Sequence, residues 1–165
     1  MTEETSLLIE LTEQMLAAAR QAGAEAADAI AVSGSAIGID VRKGGLEQAE
    51  RSEATEIGLR VLLDHRQAIV SGSDLRAETL STMAERAVAM AKTAPEDAYC
   101  GLAEPEQLAK DTDHTALELN DPAAEPEAAV LQQDALAAEE AAQSVQGITQ
   151  IEAASAGYGR NQVWM

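Results

Sequence analysis

Apolar residues near the start of the chain fall three and four apart: Leu8, Leu11, Met15, Ala18, Ala19 and Ala22. That spacing predicts an amphipathic helix over residues 6–22, capped by Thr2 or Thr5, with Gly23 at the position just past its end. The period then changes to two. Ala29–Val32 and Ile37–Val41 read as strands separated by a Ser33-Gly34-Ser35 turn, and Ile37, Ile39 and Val41 alternate with Gly38, Asp40 and Arg42. Lys43-Gly44-Gly45 supplies a hairpin turn, because glycine provides the positive φ that primed turns need. Leu46–Ser52 follows as a polar, edge-like strand. Ile57, Leu59, Val61 and Leu63 alternate again, and Asp64-His65 turns the chain into Gln67–Ser71. Strands joined by turns this short run antiparallel.

The helical period returns over residues 75–93, with Leu80, Met83, Ala84, Ala87, Val88 and Ala91 on one face and Ser73 or Asp74 as the cap. The helix is expected to stop before Pro95, since the residue preceding a proline is driven out of the α region. All four prolines lie between Pro95 and Pro126, which marks a long connection with one short helix around Glu106–Lys110. Pro126 suits the first position of a further helix reaching about Val145, with Leu131, Ala135, Ala138, Ala142 and Val145 as its face. Ile148–Tyr158 reads as a strand, Gly157–Gly159 as a turn, and Gln162–Met165 as the start of a partner strand. The fold class expected is α+β: an antiparallel β-meander packed against two long helices, followed by a further helix and strand. The expected division is an α+β domain over 1–94, a proline-containing connection over 95–125, and a helix with an incomplete hairpin over 126–165. Domains seldom stop on an apolar run such as Val163-Trp164-Met165, so the native protein is expected to continue.

Composition sharpens this picture. The chain of 165 residues is 46% hydrophobic but has no Phe, one Trp and two Tyr, so its core must be built from Ala, Leu, Ile, Val and Met. Such a core brings helices close and buries little area per residue. With 29 acidic against 11 basic residues, the formal charge of −18 repels phosphate backbones and anionic membranes, which argues against nucleic-acid and membrane partners. Cys100 is the single cysteine and permits no intramolecular disulfide. No signal peptide or bilayer-length apolar run is visible, and a cytoplasmic location is expected.

Candidate chemistry is sparse. Asp111, Asp113 and His114 lie in the polar connection without ligand spacing and read as a solvated loop. Asp64-His65 reads as turn chemistry, not as an acid–base pair. Ser71-Gly72-Ser73-Asp74 lacks the glycine that a nucleophile elbow requires, and capping accounts for Ser73 and Asp74. Gly34–Gly38 reads as a hairpin and not a phosphate loop. No basic residue near Cys100 in sequence activates its thiol. Arg42, Arg60 and Arg66, on or beside the strands, are candidates for contact with a peptide or partner; the plainer reading pairs them across strands with Glu47, Glu50 or Glu56.

Four segments in order resemble a known family: Gly23-Ala24-Glu25, the hairpin Val41–Glu47, the stretch Glu56–Leu75, and Pro95–Ala103. Within the third, Gly58, Arg60, Asp64, Arg66 and Ser73-Asp74-Leu75 are the recognisable points. Together they resemble the N-terminal region of the TldD/PmbA metalloproteases, and the PmbA (TldE) branch in particular. The resemblance implies a subunit that pairs with a TldD-like partner, the complex cleaving peptides or unfolded chains. The family's His-Glu-x-x-x-His zinc motif lies beyond the matched region, and this chain has only His65 and His114. Zinc is therefore expected on the TldD-like partner alone, with no cofactor or catalytic residue in this chain. Scaffold and subunit interface would be its work, with strand addition at Leu46–Ser52 or at the C-terminal strand as a means of holding extended peptide. The alternative is a stand-alone, non-catalytic interaction module forming homo-oligomers. Glu56, His65 and Ala68 stand where relatives commonly carry glycine; at His65 this predicts a left-handed residue or a reshaped turn.

Overall fold

The computed structural model describes residues 3–111, 113 and 115–165. Three α-helices and four strands follow in order among the described residues, α1 (Glu3–Ala22), β1 (Ala26–Arg42), β2 (Gly45–Leu63), β3 (Arg66–Gly72), α2 (Ala77–Thr93), α3 (Ala128–Gln143) and β4 (Ala154–Trp164), with 3₁₀ turns at Pro105–Gln107 and Thr115–Leu117 between α2 and α3. The four strands form one antiparallel sheet in the order β3-β2-β1-β4, so β1, β2 and β3 make the expected meander and β4 joins the free side of β1. The class is α+β. By contact density the chain divides into two compact units, residues 1–33, 54–113 and 161–165 in one and 34–53 with 114–160 in the other.

The first unit buries Leu8, Leu11, Met15 and Ala19 of α1 and Leu80, Ala84, Ala87, Val88 and Ala91 of α2. The sheet contributes Ala29, Ala31, Ile57, Leu59, Val61 and Ala68 to the same core. Alanine on the facing helices leaves the larger strand residues to fill the volume, at about 0.8 kcal/mol per methylene removed from water. Thr12 is the polar exception inside α1; its hydroxyl donates back to the carbonyls of Leu8 (3.2 Å) and Ile9 (2.8 Å), so nothing is left unpaired. Gly23 (φ +95°) ends α1. Its N–H donates to Arg20 and that of Ala24 to Ala19, which satisfies the last carbonyls. Of the two caps expected for α1, Thr5 lies inside the helix and Thr2 falls outside the described residues.

The second unit has its own core of Ile37, Ile39 and Val41 from β1 and Leu131 and Ala135 from α3, with Leu136, Ala154, Ala156 and Tyr158 packed beside it. Several expectations are corrected there. Ser33-Gly34-Ser35 is not a turn, nor is Gly34–Gly38 a hairpin: β1 runs unbroken, because β2 and β4 flank it and supply the ladder that keeps it extended. Gly157–Gly159 is likewise strand. A Cβ on Gly157 would stand 3.2 Å from the carbonyl oxygen of Ile37, so this glycine serves close backbone approach and not chain reversal. Leu46–Ser52 and Ile57–Leu63 are parts of the single strand β2. Pro126 precedes the N-cap Glu127 of α3 instead of opening the helix, and Ala138 and Val145 are exposed.

The expectation at His65 holds. Asp64 (φ +48°) and His65 (φ +56°) form a two-residue turn with both residues left-handed, the primed geometry that matches the twist of the flanking strands. His65 adopts the backbone angles glycine would hold freely. His65→Gly is expected to stabilise the protein by about 0.5–1 kcal/mol, read as a rise in the urea midpoint at unchanged slope. A lower midpoint would contradict the strain assigned to this turn.

Candidate functional site

The tip of the β1–β2 hairpin is the most constrained polar locus. Lys43 (φ +54°) and Gly44 (φ +74°) make the turn, and its two amides point into one carboxylate. Glu139 of α3 accepts from the Lys43 N–H at 2.6 Å on Oε1 and from the Gly44 N–H at 2.8 Å on Oε2. Glu139 is 3% exposed, and these two charge-assisted bonds compensate the burial of its carboxylate. Leu131, Ala135 and Glu139 are spaced by four, so the acid occupies the apolar stripe of α3. The sequence reading assigned that stripe to Ala138 and missed it; an acid continuing an i, i+4 apolar series was the available signal.

Beside this clasp lies a cleft of about 330 Å³, floored by Ile37 and Ile39 and bounded by Ala49–Arg51 of β2 and Glu125–Ala128 at the start of α3. Arg51 spans it, paired with Glu125 and, at 2.6 Å, with Glu53. The hydrogen bond that Arg51 donates to Glu125, then the one it donates to Glu53, raises the pKa of its guanidinium above the ordinary value. With Glu125 and Glu127 at the helix entry, the cleft is lined by acids already engaged or exposed to water, a poor setting for an anion.

One side of β2 is open. Its register with β3 runs from Ile57 opposite Gly72 to Leu63 opposite Arg66. On that side Gly45–Glu56 has no neighbouring strand among the described residues. Residues 45–54 are all exposed.

The three arginines singled out from the sequence all have carboxylate partners. Arg42 pairs with Glu47 at 3.3 Å, as the plainer reading expected. Arg60 takes Asp28 instead, its Nε donating to both carboxylate oxygens at 3.2 and 3.0 Å. The Asp28 hydrogen bonds, and to a lesser extent the Asp28 and Cys100 charges, raise its pKa against the opposing effect of burial. Arg66 reaches Asp64 at 3.3 Å and Glu96 at 2.5 Å, tying β3 to the segment after α2. Arg60 and Arg66 belong to the first unit and Arg42 to the second.

Asp74 is not the cap of α2. The N-cap is Arg76, without a side-chain cap bond. Asp74 instead accepts from the Arg76 side chain (2.9 Å to Nε), the Arg76 backbone N–H (3.2 Å) and the Thr79 hydroxyl (3.0 Å). The Asp113 N–H donates to the Asp111 carboxylate at 2.9 Å, and His114 lies outside the described residues. Cys100 is partly exposed, its N–H donating to the Asp97 carbonyl. Among the described residues, no three His, Cys, Asp or Glu side chains converge as for a metal ion, and no helix is long and apolar enough to cross a membrane.

Residues 27–91 match the family model of PmbA/TldA metallopeptidase domain 1. The fold matches TldE from Thermococcus kodakarensis at a TM-score of 0.66 and 15% identity over 93% of this chain and 34% of that one. It also matches a candidate modulator of DNA gyrase from Bacteroides thetaiotaomicron, at a TM-score of 0.65 and 19% identity over 98% of this chain and 36% of that one. A further candidate gyrase modulator, from Thermotoga maritima, matches at 0.52 and 14% identity over 94% and 33%. The chain thus spans about a third of the length of these solved proteins. None of the curated proteins matches it.

Two outcomes are expected from this geometry. Glu139→Ala removes the buried acceptor of two turn amides and is expected to cost about 1–3 kcal/mol, with Glu139→Gln recovering only part because its NH₂ faces one of them. An unchanged urea midpoint for the alanine variant would contradict the clasp. The Arg76 guanidinium, then the Arg76 amide, holds the Asp74 carboxyl below the usual carboxylate range. Since its folded pKa lies below the unfolded one, this contribution to stability is full at neutral pH. It drains away on acidification below the ordinary aspartate range. The carboxyl chemical shift of Asp74 should titrate below that range and return to it in Arg76→Ala; identical titrations would refute the assignment.

Proposed function

We propose that this chain, whose residues 27–91 match the first-domain model, belongs to the TldD/PmbA family and serves as the scaffold and interface domain of a PmbA-like metallopeptidase subunit. Its partner in this reading is a TldD-like subunit that holds the zinc, and the complex processes peptides and unfolded proteins in the cytoplasm. The observation that carries the proposal is the combination of the matched first-domain segment with a TldE-like fold over nearly the whole chain. The gyrase label of two similar structures is not taken as DNA contact, because a chain of charge −18 repels phosphate backbones.

Coexpression with a TldD-like zinc subunit from the same genome tests the proposal. The two chains should co-elute, and cleavage of an unfolded protein should appear in that fraction and vanish with a zinc chelator. Elution of this chain as a homo-oligomer, with the zinc subunit elsewhere, would contradict it and favour a stand-alone interaction module.

A further inference from the structure

The cleft in the second unit has a chemistry that the subunit role does not use. Ile37 and Ile39 of β1 floor it, Ala49–Arg51 of β2 form one wall, and Glu125–Ala128, leading into α3, form the other. All of these residues belong to one compact unit. Its volume of about 330 Å³ lies at the small end of ligand cavities. At ~30 Å³ per water it admits a molecule of about ten non-hydrogen atoms. Ile37, Ile39, Ala49, Pro126 and Ala128 suit a compact hydrocarbon body. The charges have one dominant sign: Glu50, Glu125 and Glu127 against Arg51 alone. Arg51 already shows what the cleft accepts, since its guanidinium is held as a cation between Glu125 and Glu53. Glu125 is thereby engaged, but among the described residues Glu50 and Glu127 have no cationic partner. Glu50 accepts only a 3.4 Å hydrogen bond from Gln48, and Glu127, although it is the N-cap of α3, makes no side-chain cap bond. A cation entering here meets two unspent carboxylates beside an apolar floor, where attraction is less screened than in open water.

From this we infer that the cleft binds a small organic cation, a compact apolar body carrying one ammonium or guanidinium, with Glu50 and Glu127 selecting the charge and the Ile37–Ile39 floor taking the body. The occupant is a free small molecule, because the volume matches a compact ligand and not a chain running through it. The site lies wholly within this chain and needs neither zinc nor a partner subunit, so it is testable on this chain alone.

The experiment titrates phenethylamine into the isotopically labelled chain and follows amide chemical shifts, with 2-phenylethanol and phenylacetate as uncharged and anionic twins. Phenethylamine should shift the amides of Ile37, Ile39, Ala49–Arg51, Glu127 and Ala128. The alcohol should bind there about tenfold more weakly, and phenylacetate should leave those amides unmoved. The advantage of the amine over the alcohol should shrink as salt rises. Glu50→Gln with Glu127→Gln should bring the amine down to the affinity of the alcohol. Ala49→Trp, which fills the cleft from an exposed position, should abolish binding of both. Equal affinity of the three compounds, no binding of any, or variants that bind as the unaltered chain does would overturn the inference. So would shifts scattered over the acidic surface, which mean adsorption and not a site. A capped Gly-Lys-Gly peptide with the same footprint and affinity would make the occupant a polypeptide side chain and overturn it too. If a variant fails to fold, the footprint and the ranking of the three compounds on the unaltered chain decide. Any of these failures leaves the subunit assignment standing, because that is read from co-elution.

Discussion

At the tip of the β1–β2 hairpin, Lys43 and Gly44 both adopt left-handed backbone angles, and Glu139 holds their two amides from α3. A two-residue primed turn admits one pairing of its strands, and a slip by one residue would send every side chain to the opposite face. The burial of Ile37, Ile39 and Val41 on β1, all odd-numbered, against Leu131 and Ala135 of α3 depends on that register. The acid therefore serves two ends. It satisfies donors that the turn exposes, and it anchors α3 to the strand pair whose register the turn sets.

The same hairpin explains why an acidic protein can carry long strands. β2 outruns β3, and the surplus length carries Glu47, Glu50, Glu53 and Glu56 beside an edge with no neighbouring strand among the described residues. Arg42, Arg51, Arg60, Arg66 and Arg76 are each engaged by nearby acids, leaving the excess negative charge to dominate the open edge. Exposed pairs of this kind add little stability individually; their effect is on what can approach.

Much of the fold was legible in the sequence, because helical and strand periods report burial directly. The faces of α1 and α2, the meander, the stop of α2 before Pro95 and the left-handed His65 all follow from local chemistry. What failed was punctuation. Ser33-Gly34-Ser35 and Gly157–Gly159 carry turn residues, yet both stay extended because neighbouring strands outweigh local propensity, and Gly157 is there for backbone approach. Asp74 and Pro126 suit helix starts in composition but sit ahead of the caps, Asp74 being claimed by Arg76. The place of Glu139 in an i, i+4 apolar series was legible, but its partners were not, being backbone amides nearly a hundred residues away.

The central claim is that Gly45–Glu56 is paired on one side and open on the other. Residue-resolved amide exchange on the free protein tests it most directly. The account predicts alternation along Gly45–Glu56, with amides facing β1 slow and those facing away fast, giving way to protection on both sides across Ile57–Leu63. Uniform protection from Gly45 to Leu63 would mean the edge is covered, and would contradict the account.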